Sequence, residues 1–215
     1  MKIAKGENTR LTIIDRARAI FNERGISITI DAVAKELRIS KSRITNHFAT
    51  KDQLFMSILA EYEQELGRLV ANWHPTGVEK SLQAYVNMLS DVMDTQFRYR
   101  CAIVYLHMLS PGHHELKQHT YENFNRNKAS IRQRMESMYK SGIMAETVLK
   151  EPAWSAFIFT YVNMLTQWVV FQDMYDDPDE YVMNKQKYLR AVMNHVYLPY
   201  LTKKGKEELE ALAYP

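Results

Sequence analysis

The chain has 215 residues, 46% of them hydrophobic, which is enough for one medium domain or two small ones with a real core. It contains only 7 glycines and 6 prolines and shows no strand-like alternation of apolar and polar residues, so an all-helical protein is expected. The single cysteine, Cys101, excludes an internal disulfide, and the charged start lacks the apolar core of a signal peptide. Both observations favour a cytoplasmic protein.

The charges are spread unevenly along the chain. Residues 1–55 contain 11 Lys and Arg against 6 Asp and Glu, a net charge of +5, whereas the remaining 160 residues contain 17 against 19, a net charge of −2. A basic N-terminal part on a mildly acidic remainder is expected when only one end of a protein meets a polyanion.

The N-terminal part is predicted to contain three short helices followed by a long one. The first covers residues 10–23 and ends at Gly25, the second covers residues 30–37 with Thr29 as cap, and the third covers residues 41–47 with Ser40 as cap. Helices this short are marginal in water, so the three must pack together. A fourth helix, residues 51–73, follows without a flexible linker.

Five more helices are predicted in the remainder, which gives about nine in total. They cover residues 78–96, 98–109, 113–141, 152–174 and 180–200, separated by the breaks at 74–77, 110–112, 142, 152 and 176–178. The segment 152–172 has no charge and could be mistaken for a membrane span, but its polar residues are scattered and no basic flank sets an orientation. We therefore expect a helix buried in a soluble protein and no membrane partner.

The run SKSRITNHFATK, residues 40–51, contains only two large apolar side chains, Ile44 and Phe48. Their i, i+4 spacing lets both face inward and hold the third helix on its scaffold. The second and third helices with their tight turn have the dimensions of a helix-turn-helix, whose second helix enters the DNA major groove. The residues left on or near the outer surface can read base edges or meet phosphate: Lys41, Ser42, Arg43, Thr45, Asn46 and His47.

Residues 9–59 resemble the DNA-binding domain of the TetR family of bacterial transcriptional regulators. The motif pieces occur in order as FNERG at 21–25, TIDAVA at 29–34 and ISKSRITNHFATKDQL at 39–54. Two positions depart from the pattern: Thr45 replaces a tyrosine that contacts the DNA backbone, and Arg38 replaces a small residue, often glycine, in the turn. A left-handed conformation at Arg38 is expected to cost about 1 kcal/mol.

The resemblance implies an all-α protein with a helix-turn-helix domain at residues 1–50, here called the head, and a ligand-binding and dimerisation domain at residues 51–215. The helix at 51–73 joins the two. It further implies that Lys41, Ser42 and Arg43 face bases, and that Thr29, Thr45, His47 and Lys51 hold phosphates. Ser40 opens a helix N-terminus toward phosphate, and Asn46 can pair with adenine.

The family further implies a repressor that binds an operator inverted repeat as a homodimer and leaves it when an effector binds. The two helices at 152–174 and 180–200 are expected to form the dimer interface. Aromatic and methionine side chains predict a pocket for an apolar or amphipathic small molecule. The candidate lining residues, with three polar anchors among them, are Tyr85, Met88, Phe97, Tyr105, His107, Met108, Phe124, Met135, Phe157, Tyr161, Asn163, Gln167 and Trp168.

Two other classes of function stay open at this point. The chain could be a helical enzyme or small-molecule carrier whose N-terminal unit is structural, or a non-specific architectural DNA protein. No catalytic signature, metal site or cofactor motif is found in the sequence, so catalysis, metal and cofactors are not expected. The histidines near 107–119 lack a strict ligand spacing, and Cys101 has apolar neighbours that favour a buried, inert thiol.

Overall fold

The computed structural model describes residues 5–72, 81–108, 114–175 and 177–215; the side chains of Lys5, Asn72, Asp173, Pro178 and residues 114–117 are not described. These residues form ten α-helices and contain no β-strand, which confirms the all-α prediction. The predicted breaks at 74–77 and 110–112 lie outside the described ranges. Contacts divide the chain into two compact units: the first comprises residues 1–69 and 94–108, the second residues 70–93 and 109–215.

The first unit contains four helices of the N-terminal part and one later helix. They are α1 (Lys5–Arg24), α2 (Ile30–Glu36), α3 (Lys41–Thr45), most of α4 (Lys51–Asn72) and α6 (Arg100–Met108), with the last turn of α5 (Leu82–Arg98). Its core is mostly aliphatic and contains an aromatic cluster: the rings of Phe21 and Phe55 lie 4.4 Å apart, and Phe55 stacks on Tyr105 at 3.9 Å.

Helix α6 is bound directly to α1. The backbone N–H of Cys101 donates to Asn22 Oδ1 at 3.0 Å, and Arg100 donates to the carbonyl of Asn22 at 2.9 Å. Arg18 adds a hydrogen bond to the carbonyl of Arg98 at 2.8 Å. The compact unit around the head therefore includes residues 94–108, which lie far along the chain from residues 1–50.

The second unit contains most of α5 together with α7 (His114–Lys140), α8 (Ala153–Tyr175), α9 (Tyr181–Val192) and α10 (Lys203–Glu210). After α9 the chain continues as a π-helical turn, Met193–Tyr197, and a 3-10 turn, Leu198–Tyr200. Helix α10, capped by Thr202, was not predicted from the sequence. It lies so close to the end of α7 that a Cβ at Gly205 would meet the carbonyl oxygen of Ile143 at 2.3 Å.

Helix α8 covers the uncharged segment considered above as a membrane span. One side of it is buried, including Trp154, Phe157, Leu165 and Val169, and the other side carries polar residues and a few exposed apolar ones. In the described parts of the chain, no helix combines the length and apolar character needed to span a bilayer.

Candidate nucleic-acid interface

Side-chain caps and a strained turn set the geometry of α2 and α3. Thr29 Oγ1 accepts from the N–H of Ala32 at 3.2 Å, and Ser40 Oγ accepts from the N–H of Arg43 at 3.3 Å, so each short helix begins at a cap. Between them Arg38 has φ of +54°, the left-handed conformation that a glycine would adopt without strain. The N–H of Ile39 donates back to the carbonyl of Ala34 at 3.0 Å and closes the turn.

Helix α3 is held by two anchors, as its sequence predicts. Ile44 and Phe48 are 0% and 1% exposed. Arg10 adds a cation–π contact, with its guanidinium 5.3 Å from the Phe48 ring. Five residues of helix cannot be stable alone, so these buried side chains fix the orientation of the whole helix.

The remaining residues of α3 and the next turn face outward to different degrees. Lys41, Ser42, Arg43 and Asn46 are exposed, while Thr45 and His47 are half-buried. Lys41 Nζ is paired with Asp31 of α2 at 2.8 Å, and the Oγ atoms of Ser42 and Ser40 lie 2.9 Å apart. Lys41 therefore has a partner on the helix-turn-helix itself, whereas no hydrogen bond or ion pair of the Arg43 or Asn46 side chain occurs within the part of the chain that the structure describes.

Arg43 also borders an open depression of about 250 Å³ between α3 and α1. Its other lining residues are Asn8, Thr9, Thr12, Ile13, Arg16, Leu37 and Ile39. Two arginines and several hydroxyl or amide groups here face the solvent beside the outer surface of α3. The sequence analysis did not predict that α1 contributes polar side chains beside α3. The signal was Arg16, which is exposed on the side of α1 opposite its buried face.

The N-terminus of α4 is ordered by a reciprocal cap. The N–H of Gln53 donates to Thr50 Oγ1 at 3.2 Å, and Gln53 Oε1 accepts from the N–H of Ala49 at 2.8 Å. The ammonium of Lys51 donates to the carbonyl of Ile26 and lies 5.8 Å from the Phe21 ring. Burial lowers the pKa of Lys51, against the opposing effect of the neighbouring Asp52.

Asp52, in the first turn of α4, accepts a hydrogen bond from the hydroxyl of Tyr105 on α6. Partial burial, together with this bond to the carboxylate, raises the pKa of Tyr105. A second link joins α4 to the junction between α5 and α6, since Tyr99 donates to Glu65 at 3.0 Å and Arg98 pairs with Glu65. Burial and this carboxylate raise the pKa of Tyr99 to about 12.

The predicted effector-pocket residues are divided between the two units. Phe97, Tyr105, His107 and Met108 belong to the first unit, where His107 Nδ1 donates to the Ile103 carbonyl at 2.8 Å and Met108 is 72% exposed. The other nine belong to the second unit: Tyr85, Met88, Phe124, Met135, Phe157, Tyr161, Asn163, Gln167 and Trp168.

Within the second unit, the structure brings only some of the predicted residues together. Tyr85, Phe157 and Tyr161 meet in the interior around Tyr197, which the sequence reasoning did not select. Met88, Met135 and Trp168 are buried, and the Trp168 ring packs near Tyr188 at 5.9 Å. Phe124, Asn163 and Gln167 are exposed, and Asn163 donates to its own helix at the Phe159 carbonyl, 2.7 Å away.

Two further features bear on other chemistries. Cys101 is buried, and that burial raises the pKa of its thiol to about 12, so the thiolate needed for redox chemistry is not formed at neutral pH. Within the described ranges, no three His, Cys, Asp or Glu side chains lie close enough to hold a metal ion.

Comparisons with known proteins assign the family. Residues 13–58 match the family model of bacterial regulatory proteins of the tetR family, and residues 61–209 match that of the bacterial transcriptional repressor TetR. No curated protein shows significant similarity to the sequence.

Solved structures agree with this assignment. A TetR-family transcriptional regulator from Marinobacter aquaeolei VT8 is 25% identical, with a TM-score of 0.78 over 94% of this chain and 96% of its own. The TetR family protein CprB from S. coelicolor A3(2) is 17% identical, with a TM-score of 0.67 over 96% of both chains. A transcriptional regulator from Saccharomonospora viridis is 13% identical, with a TM-score of 0.65 over 91% of this chain and 99% of its own.

The resemblance seen in the sequence is thus confirmed over both parts of the chain, and family members are transcription factors. The chain belongs to the tetR family of bacterial regulatory proteins, and it is a DNA-binding transcriptional regulator rather than an enzyme.

Proposed function

We propose that this protein is a cytoplasmic repressor that binds an operator inverted repeat as a homodimer and leaves it when a small effector binds the second unit. The observation that carries the proposal is the outward face of α3, where Arg43 and Asn46 are exposed on a helix fixed by the buried Ile44 and Phe48. A short, capped helix held in this way can insert its polar face into the major groove.

The residues of the head divide into reading and positioning roles. We assign base reading to Lys41, Ser42 and Arg43, since Arg and Lys can grip guanine O6 and N7, and to Asn46, whose amide can pair with adenine. Thr29, Ser40, Thr45, His47 and Lys51 are assigned to phosphate. The half-buried Thr45 is shorter than the tyrosine expected there, so Asn46 or His47 is the candidate to supply its backbone contact.

Lys51 can hold phosphate while keeping its place in the head. Its ammonium has three N–H donors, of which the carbonyl of Ile26 uses one. The remaining donors lie beside the capped N-terminus of α4, whose free N–H groups also favour an anion. Lys51 is therefore proposed both to tie α4 to the α1–α2 loop and to contact the DNA backbone.

Dimerisation is proposed through α8 and α9. On α8, Phe159, Phe171 and Met174 are 71%, 48% and 65% exposed, and on α9 Val182 and Met183 are more than half exposed. Exposed apolar side chains along neighbouring helices are typical of an interface that a second copy covers. A dimer places two heads on one operator, and half-sites about 34–36 Å apart are then expected.

Release by an effector is proposed because α4 runs from the first unit into the second. A ligand that favours one arrangement of the second unit would then shift α4, and with it Asp52, Lys51 and the head. The S. viridis regulator was solved in complex with choline, and the structurally similar SmeT in complex with triclosan, which supports a ligand-binding role for this fold.

Selection of bound DNA from a random pool tests the proposed function. We expect an enriched inverted repeat whose half-sites are centred about 10 bp or a multiple of that spacing apart. Selection with the Arg43→Ala variant serves as the matched comparison and should relax the preferred base at one position of each half-site. Binding that is salt-dependent but enriches no sequence would instead favour a non-specific architectural protein.

A further inference from the structure

Three tyrosines meet in the interior of the second unit, contributed by α5, α8 and the π-helical turn after α9. The hydroxyl oxygens of Tyr85 and Tyr197 lie 2.5 Å apart, and the Tyr85 hydroxyl donates to that of Tyr161 at 3.4 Å. Tyr85 and Tyr197 are fully buried and Tyr161 is 7% exposed. The Phe157 ring packs edge-on against Tyr197, with centroids 5.5 Å apart, and provides an apolar wall beside the hydroxyls.

A cation lies beside these hydroxyls. Arg134, on α7, has its guanidinium next to Tyr161 and within electrostatic reach of Tyr85 and Tyr197. One of its nitrogens, Nη1, donates to Ser130 Oγ at 2.8 Å, while the buried Nε has no hydrogen-bond partner. Among the residues that the structure describes, no carboxylate pairs with Arg134. Its neighbour Arg132, by contrast, pairs with Glu136 at 3.4 Å and donates to the carbonyl of Leu149.

Within the described ranges, the charge of Arg134 is therefore not balanced by a carboxylate. Burial raises the pKa of Tyr85 and Tyr197 well above its usual value, so these phenols stay protonated and neutral. Removing a cation from water without a counter-charge is costly, and a buried donor without an acceptor adds to that cost. An anion bound here would balance the charge of the guanidinium and accept a hydrogen bond from its Nε at the same time.

Resting on the proposed function, we propose that the effector is a small organic carboxylate whose negative group binds Arg134 and the hydroxyls of Tyr161, Tyr85 and Tyr197. The guanidinium offers a planar set of donors that fits a carboxylate, and the hydroxyls can rotate to donate to it. Phe157 supports the apolar part of the ligand. Arg134 as a whole is half-buried, while its Nε is fully buried.

Isothermal titration calorimetry with matched acid and amide pairs tests this assignment on the full-length protein. The probes are benzoate with benzamide, 2-naphthoate with 2-naphthamide, and octanoate with octanamide, in a buffer free of carboxylate and phosphate. Each pair has nearly the same shape and differs in charge. We expect at least one carboxylate to bind about tenfold or more tightly than its amide, as for a charge-assisted hydrogen bond.

Variants of α7 assign the preference to Arg134. Arg134→Met should reduce the acid-to-amide affinity ratio to about one, whereas Arg134→Lys should retain part of it because a cation remains. Arg126→Met removes an exposed arginine from the same helix and should leave the ratio unchanged. If Arg134→Met does not fold, Arg134→Gln removes the charge while keeping a donor for Ser130.

The inference is overturned if no carboxylate binds, if the amides bind as tightly as the acids, or if the preference survives neutralisation of Arg134. These titrations contain no DNA, so their outcome is separable from the proposed function. If the DNA selection enriches an inverted repeat but the titrations show no preference for the carboxylates, only the effector assignment is wrong. Arg134-dependent anion binding in a protein that enriches no DNA sequence would overturn the repressor proposal and leave the anion site standing.

Discussion

Both units have exposed ion pairs, but the second unit also contains a cation of a different kind. In the first unit the ion pairs lie at the surface: Lys41 pairs with Asp31, and Arg24 with Glu36 at 2.9 Å. In the second unit Arg134 lies beside buried hydroxyls, and among the residues that the structure describes it has no carboxylate partner. Exposed pairs contribute little to stability and can be exchanged for phosphate contacts without refolding. The half-buried Arg134 can be compensated by a small anion that reaches it, so the first unit suits a large external polyanion and the second a small molecule.

The largest expected effect tests whether the exposed charges of the head depend on its buried anchors. Phe48→Ala should lower the free energy of unfolding by about 3–5 kcal/mol, because it removes a fully buried aromatic ring. Urea denaturation followed by circular dichroism measures the loss. His47→Ala, at the half-buried neighbouring position, is the control and should cost less than about 1 kcal/mol. Equal losses in the two variants would mean that α3 is not held by its anchors.

Arg43→Ala tests the external role of the first unit. Loss of one good base contact should weaken operator binding by about 1–3 kcal/mol and relax the preference at one position. Fluorescence anisotropy with the selected operator and with single-base variants measures both effects. Arg68→Ala removes the same charge from an exposed position of α4 outside the head, and it should leave the base preference intact. A uniform weakening by Arg43→Ala across all sequences would assign Arg43 to phosphate instead.

A Tyr→Phe substitution in each unit compares the stability contributed by a buried hydroxyl with that contributed by a hydroxyl near the surface. Tyr85→Phe should cost about 1–3 kcal/mol of stability, because Tyr197 and Tyr161 lose a buried partner. Tyr105→Phe keeps the ring stacked on Phe55 and leaves Asp52 open to water, so its cost should stay below about 1 kcal/mol. Thermal denaturation of both variants measures the loss of stability. A larger loss for Tyr105→Phe than for Tyr85→Phe would contradict the contrast between the units.

Arg38→Gly should stabilise the protein by about 1 kcal/mol, since glycine adopts φ of +54° without strain. Arg38→Ala is the matched control, because it removes the charged side chain yet keeps the Cβ that causes the strain. If alanine stabilised as much as glycine, the gain would come from charge and not from backbone conformation.

The smallest expected effect concerns Lys51. Lys51→Ala should weaken binding to all sequences alike and reduce the slope of log affinity against log salt by about 0.9, as for one lost phosphate contact. Operator affinity measured across a salt series distinguishes a phosphate contact of Lys51 from a purely structural role in the head. An unchanged slope with lower stability would mean that the ammonium serves only the carbonyl of Ile26.

Local rules in the sequence were sufficient for most of the first unit. Thr29 and Ser40 were predicted as caps and the structure has them as caps, and the spacing of Ile44 and Phe48 predicted their burial. The attachment of α6 was not predictable, because the bonds from Arg100 and Cys101 to Asn22 join residues almost 80 positions apart. The pattern of apolar residues within a helix does not show which distant helix it packs against.

The second unit was predicted as a set of helices but not as a site. Tyr85 and Tyr197 are separated by 112 positions, and either ring alone reads as ordinary core. Arg134 was not selected from the sequence, since its spacing gives no sign of the tyrosines beside it. Helix α10 was missed because its eight residues contain a glycine that only the close approach to Ile143 explains.

The way α3 is mounted has a consequence for how this regulator can change over generations. Because two buried side chains and a cap hold the helix, its exposed positions contribute little to folding, and most substitutions there leave stability nearly unaltered. Mutations at Ser42, Arg43 or Asn46 can accordingly be sampled while the protein remains folded. A duplicated copy of the gene can thus acquire a different operator by drift and selection on a handful of codons, without redesign of the scaffold.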